Sequence, residues 1–238
     1  MIILGVDYSH WQAGVDPAKL VAAGVSYAIV KCGEYYRSDE HDDDRYASNM
    51  SALSSAGLPH SSYYFYHPGA GNSRQARHWQ RLYESYEHDL PPVLDCEAHD
   101  GMLNTTEVAR QIRVMLEYMA RISGRQPIIY TTASWWSHYA GDPSYGADYP
   151  FWLAQYNTQL TRWTATIKDN IIMWQYTDRI KLPGCPTMDG NRWMASDELY
   201  NEYVGDDRWP MHLVDQRQRK NIWSLSRANR LWLERLTR

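Results

Sequence analysis

Phenylalanine is almost absent from this chain of 238 residues: two occur, against 19 tyrosines and 11 tryptophans. Nearly every aromatic side chain therefore carries an O–H or N–H. That mix suits surfaces that stack on one side and stay wet on the other, or a core built from Tyr and Trp. Cysteine is also scarce. Cys32, Cys96 and Cys185 are widely spaced and odd in number, which leaves no disulfide framework and no paired zinc motif. No apolar run approaches the ~18 residues of a membrane span. Met1–Asp7 has a short apolar stretch and no basic n-region, so it reads as a strand rather than a signal peptide, and synthesis in the cytoplasm is expected. No glycine-rich phosphate loop follows a strand, and the nine histidines form no His-Glu-x-x-His arrangement. No metal and no cofactor is expected. The composition, 44% hydrophobic and 22% charged, excludes a disordered chain. A core of useful size needs no staples at this length.

The charge is divided. Residues 1–207 hold 16 Lys and Arg against 26 Asp and Glu, a net of −10, whereas residues 208–238 hold 8 against 2, a net of +6. An acidic body is a poor partner for nucleic acid. The chain accordingly divides into a body, 1–207, and a basic tail, 208–238.

Along the body, short apolar runs alternate with helical patterns. The runs are Ile2–Val6, Ala28–Cys32, Ser62–Tyr66, Pro92–Asp95, Ile128–Thr131, Phe151–Ala154 and Ile171–Tyr176; the helical stretches are Asp16–Ala23, Arg45–Ala56, Ser73–Tyr86 and Thr105–Ile122. In the last, Val108, Ile112, Met115, Met119 and Ile122 recur at spacings of three and four, with Asn104 or Thr105 as cap and Gly124 at the stop. Alternating strands and helices predict a parallel sheet with right-handed crossovers. Seven or eight strands in about 200 residues favour an α/β fold of the closed (β/α)8 TIM-like type over an open sheet. Few good helices lie between Ser134 and Asp189, so some helices should be missing from one side.

Function in such a barrel sits at the C-terminal ends of the strands. Those ends carry Asp7, Asp95, Glu97 and Asp189. Asp95 and Glu97, two apart, should share a face while Cys96 points away. Two carboxylates on one face repel when both are ionised, which raises one pKa and leaves a proton donor beside a charged partner. Glycoside cleavage uses that pair; acids satisfied by backbone amides or an arginine are the structural alternative.

Several motifs now occur in order. They are Gly5-Val6-Asp7-Tyr8-Ser9-His10-Trp11-Gln12, Pro92-Val93-Leu94-Asp95-Cys96-Glu97, Gly124-Arg125-Gln126-Pro127-Ile128-Ile129-Tyr130-Thr131, Phe151-Trp152-Leu153-Ala154-Gln155-Tyr156 and Met173-Trp174-Gln175-Tyr176-Thr177; Pro183-Gly184 and Met188-Asp189-Gly190-Asn191 close the series. From about residue 3 to residue 195 the chain resembles glycoside hydrolase family 25, the N-acetylmuramidases (lysozymes) of bacterial and phage origin. The resemblance implies a modified barrel with some helices absent. It also implies hydrolysis of the β-1,4 bond between N-acetylmuramic acid and N-acetylglucosamine in peptidoglycan, without metal or cofactor. It assigns Glu97 as acid/base and Asp95 as nucleophile or as support for the 2-acetamido group, with Asp7 and Asp189 holding and tuning them. In one place the chain departs: the family's Tyr-His-Phe is Tyr63-Tyr64-Phe65 here. A cytoplasmically made wall hydrolase reads as a phage or prophage endolysin acting at the bacterial cell wall, and a monomer is expected. A non-hydrolysing glycan-binding or virion structural protein on the same barrel is the alternative in another class.

Other features have plainer readings. Asp39–Asp44 lacks the spacing and glycine of a Ca²⁺ loop and reads as a solvated acidic loop ahead of a helix. His10 is expected to close a turn, and Cys96 to pack in the core. Among strand aromatics and amides, Tyr63, Tyr130, Trp152 and Gln175 are the candidate sugar contacts. In the tail, Ile222, Leu225, Trp232, Leu233 and Leu236 share one helical side while Arg219, Lys220, Arg227 and Arg230 share the other. Such a C-terminal helical extension could dock on the acidic barrel, meet anionic lipid or wall phosphates through residues 209–238, or contact a partner.

Overall fold

The computed structural model describes residues 2–36, 39–98 and 104–205; the tail helix expected within 208–238 lies outside the described residues. The elements run β1 (Leu4–Tyr8), α1 (Pro17–Ala22), β2 (Tyr27–Tyr36), β3 (Asp39–Asp42), α2 (Tyr46–Ser55), β4 (His60–Phe65), α3 (Asn72–Tyr83), β5 (Val93–Asp95) and α4 (Thr105–Ser123). They continue with β6 (Ile128–Thr131), the short α5 (Ala133–Trp135), β7 (Phe151–Ala154), β8 (Ile171–Ile180), β9 (Met188–Trp193) and α6 (Asp197–Gly205). Strands pair in the order β1-β9-β8-β7-β6-β5-β4-β2, and a β1–β2 pairing closes the ring. The result is an eight-stranded barrel with helices on one side, the modified TIM-like barrel expected.

Strand alternation sorts the side chains into two cores. Tyr27, Ile29, Val93, Ile128, Tyr130, Trp152, Ala154, Met173 and Trp193 fill the barrel. Val6, Tyr8, Ala28, Val30, Leu94, Cys96, Ile129 and Leu153 point outward into a second layer beneath α1–α4. The helices carry the expected signals. Asp16 accepts from the Ala18 N–H and Pro17 opens α1. Asn104 accepts from the Glu107 N–H, and Gly124, at φ 67°, ends α4.

Two expectations are corrected. The sheet is not wholly parallel: β9 runs antiparallel to both β8 and β1. A parallel neighbour needs a crossover of about a dozen residues or more, and the link from Ile180 to Met188 is too short for one. The acidic stretch is solvated as expected over Asp39–Asp42, but it is not a loop. Asp39–Asp42 forms β3, paired antiparallel with Gly33–Tyr36. Within it, Asp42 meets His78 Nε2 at 2.7 Å and Arg81 Nη2 at 2.8 Å, and Arg81 with His78 holds its carboxyl down to about 2.

The closed end of the barrel is plugged by α6, an element the apolar pattern does not announce. Tyr203 packs edge-on against Trp193 at 5.4 Å, and the Tyr200 hydroxyl donates to Ser26 O at 2.8 Å. Next to this plug, the Tyr27 ring lies across Gly5, where an added Cβ would fall 2.1 Å from Cζ. Gly5→Ala is expected to lose about 3 kcal/mol or more through overpacking. The matching fall in Tm is roughly 6–12 °C for a domain this large, read by calorimetry; an unchanged Tm would show that Tyr27 can move aside.

Candidate active site

The strand ends that open to solvent gather the acids. Asp7 is on β1 and Asp189 on β9, directly paired across the antiparallel ladder. Asp95 ends β5 with its side chain 3% exposed, and Glu97 stands two residues on, exposed at the mouth. Cys96 between them is fully buried in the outer layer. Its backbone N–H donates to Tyr130 O at 2.8 Å, which ties the acidic step to β6.

Asp7 is the best-held of the four. Gln175 Nε2 donates to both of its oxygens, at 3.2 and 3.0 Å, and Asn191 Nδ2 donates at 2.7 Å. Each amide is itself oriented. Tyr130 and Tyr156 hydroxyls donate to Gln175 Oε1 at 2.8 and 3.1 Å, and Trp152 Nε1 donates to Asn191 Oδ1 at 2.8 Å. Burial and the charge of Asp189 nevertheless push the Asp7 carboxyl well above its usual range. The hydrogen bond between the two carboxyls adds to the rise of Asp7 and opposes that of Asp189, which desolvation brings up to about 6.

Asp95 is different. Burial, then the neighbouring Glu97 charge, raises its carboxyl well above the carboxylate range, and its Oδ1 is buried without a hydrogen-bond partner. Glu97 is also raised, chiefly by desolvation from the surrounding walls. One cation opposes this. Lys31 on β2 lowers both carboxyls, its ammonium lying 4.9 Å over the Phe65 ring and 2.9 Å from Glu34 Oε1. Glu34 is held to about 2 by His67, whose Nε2 lies 3.0 Å away, and by Lys31.

Sequence reasoning missed Lys31, Glu34, His67 and Asn191. Lys31 had a visible signal, a lone cation inside the apolar run Ala28–Cys32, and Asn191 closed the motif Met188–Asn191, whereas His67 had none apart from its partner. Of the candidate sugar contacts, Tyr63 stands among the acids, with its phenol raised by burial and then by Asp7 and Asp95. Tyr130 is 8% exposed beside them. Trp152 and Gln175 are placed differently: they are 1% and 2% exposed, beneath the floor, with their polar atoms committed to Asn191, Asp7 and the tyrosines. They brace Asp7 and present no face to a sugar. Tyr64, at the departure from the family pattern, faces outward to α3, where its hydroxyl lies 3.0 Å from His78 Nδ1. Among the described residues no group of three or more His, Cys, Asp or Glu is placed to hold a metal ion.

The geometry is that of an acidic opening whose carboxyls are raised by burial and by one another. The model of glycosyl hydrolases family 25 matches residues 6–185. The chain belongs to glycoside hydrolase family 25. It is 29% identical over 213 residues to lysozyme M1 of Streptomyces globisporus, covering 82% of this chain and 68% of that one. It is 25% identical over 152 residues to the N,O-diacetylmuramidase of Chalaropsis sp, covering 59% and 71%. Among solved structures it resembles the bacterial lysozyme from Streptomyces coelicolor, with a TM-score of 0.75, 25% identity, and 85% and 96% of the two chains covered. Family 25 membership makes the chain a glycoside hydrolase.

Proposed function

We propose that this hydrolase cleaves the β-1,4 bond between N-acetylmuramic acid and N-acetylglucosamine in peptidoglycan, with Glu97 as acid/base and Asp95 supporting the reacting sugar. The observation that carries the reading is the Asp95–Glu97 pair. One carboxyl is open to a leaving-group oxygen, while the other lies buried behind it with Oδ1 lacking a hydrogen-bond partner. Glu97, raised by desolvation, delivers its proton to the glycosidic oxygen as that bond breaks. Asp95 Oδ1 accepts from the 2-acetamido N–H, orienting its oxygen toward the anomeric carbon, and later Glu97 takes a proton from the incoming water. Asp7 and Asp189 share one proton at the edge of this site, and Tyr63 and Tyr130 contact the sugar. Relatives named lysozyme and diacetylmuramidase support the substrate class. The biological role proposed is lysis of a host wall by a phage endolysin.

A binding-only protein would gain nothing from such acids. Carboxyls raised by burial weaken the fold at neutral pH, so their presence favours catalysis over mere attachment. The test is digestion of purified peptidoglycan followed by mass spectrometry. Products with reducing-end muramic acid are expected; reducing-end glucosamine would overturn the bond assignment, and absence of products would overturn hydrolysis of this substrate.

Lys31 supplies a further check. It lowers both Asp95 and Glu97, so Lys31→Met is expected to raise the pKa at which Glu97 loses its proton. The alkaline limb of kcat/KM, where the acid form disappears, should then move to higher pH. A limb that stays in place or moves down would show that Lys31 does not act on the catalytic pair.

A further inference from the structure

Tryptophan is seldom left in water, yet Trp11 is 80% exposed, the highest of the large apolar residues among the described residues. It does not hang on a loose loop. The segment follows directly from Asp7 at the end of β1, and the backbone turns back at once: Gln12 N–H donates to Ser9 O at 3.1 Å, while Ser9 N–H donates to Gln12 Oε1 at 3.0 Å. The Trp11 N–H itself reaches Ser9 Oγ at 3.3 Å.

Beneath the indole lies His10, with ring centroids 4.5 Å apart and planes tilted by 39°. His10 is fixed twice to one carboxylate oxygen. Its backbone N–H donates to Asp43 Oδ2 at 3.0 Å, and its Nδ1 lies 2.7 Å from the same atom. The Asp43 side chain is fully buried, and its other oxygen accepts from the Arg45 N–H at 3.0 Å. A buried carboxylate thus binds the turn after β1 to the chain entering α2. The Asp43 charge also acts on Tyr63, which stands among the catalytic acids, so the clamp belongs to the same end of the barrel as the site.

A well-tied turn under an exposed indole serves no packing purpose for the barrel itself. The apolar body and polar N–H of an indole match a pyranose ring, whose axial C–H groups form a flat apolar face rimmed by hydroxyls. We infer that Trp11 is a stacking platform for a sugar ring of the glycan strand, outside the ring cleaved at Asp95 and Glu97, mounted by the His10–Asp43 clamp. The inference rests on the proposed action on cell-wall glycan and extends it to a binding position beyond the catalytic acids. Its role is affinity for longer strands, so it affects KM on polymer and leaves the chemistry at Glu97 untouched.

The test uses the full chain carrying Glu97→Gln, which prevents turnover, titrated with peptide-free glycan strands of alternating N-acetylglucosamine and N-acetylmuramic acid. The Trp11 indole N–H resonance, assigned by its loss in W11F, is expected to shift saturably with added glycan. Addition of Trp11→Ala should weaken binding roughly two- to tenfold, the range of one aromatic contact, with Tm unchanged because the side chain is already exposed. W11F should retain most of the affinity. Glycan that binds with the Trp11 resonance still and with equal affinity for W11A overturns the platform and leaves the cell-wall reading standing. Glycan that does not bind at all overturns both.

Discussion

Glu97→Gln is expected to reduce kcat on purified peptidoglycan by roughly 10²–10⁴-fold, the contribution of one positioned general acid, while Tm at neutral pH does not fall and rises a little, because Gln escapes the desolvation that raises Glu97. Gln keeps the size and hydrogen-bonding reach of Glu but has no proton to give to the leaving oxygen. The fold should tolerate the change, since Glu97 is exposed at the mouth and ends no ladder. Turbidity loss of a wall suspension and a melting curve together check the prediction. The raised pKa of Glu97 adds a pH signature: wild-type activity declines as pH rises through that value, because the acid form is the working form. Wild-type activity retained in Glu97→Gln would move the acid elsewhere, with Asp95 as the next buried proton carrier.

Asp95→Asn should have opposite effects on activity and stability. Activity falls, because the carboxyl proposed to support the reacting sugar becomes an amide whose NH₂ can take the place of the accepting oxygen. Stability at neutral pH rises. Burial and Glu97 raise the folded-state pKa of Asp95 above its unfolded value, so the folded chain holds this proton more tightly than the unfolded chain does. The stability tied to that proton is whole below the unfolded pKa of ~3.9 and is lost as pH rises through the folded pKa. The loss runs at about 1.4 kcal/mol for each pH unit between the two values. Asn is neutral at every pH and suffers none of it. Calorimetry from pH 4 to pH 7 should therefore show Tm of the variant pulling ahead of wild type, by roughly 2–4 °C for each kcal/mol recovered, with no gain at the acidic end. A constant difference across that range would mean that Asp95 is not paying a desolvation penalty in the folded protein.

These two residues were readable in advance, and the reason is local. Asp95 and Glu97 follow an apolar run at a spacing of two, and strand alternation alone puts them on one face with Cys96 on the other. The barrel was readable for a similar reason, since seven of its strands are apolar runs bounded by turns. The antiparallel β9 was not, because Met188–Trp193 contains Asp189, Gly190, Asn191 and Arg192 and shows no apolar alternation. Its strand character comes from two neighbours, β1 and β8, that already need partners. The parts of Trp152 and Gln175 were likewise hidden. A sugar contact and a floor brace use the same side chains, and only their burial tells them apart.

The unusual aromatic composition illustrates the same division. Scarce Phe and plentiful Tyr and Trp meant that the chain would bury polar handles or expose them, and the sequence could not say which. In the folded barrel both occur: Tyr130, Tyr156 and Trp152 spend their O–H and N–H groups orienting the amides around Asp7, whereas Trp11 stands in solvent on its clamp. The sequence by itself determined the family, the barrel and the pair of acids at and just beyond the end of β5, since each follows from short motifs and periodicity. The tertiary structure alone decided how each acid is shifted, because that depends on burial, on Asp189 brought opposite Asp7 from a distant part of the chain, and on Lys31 as the cation opposing the shift of Asp95.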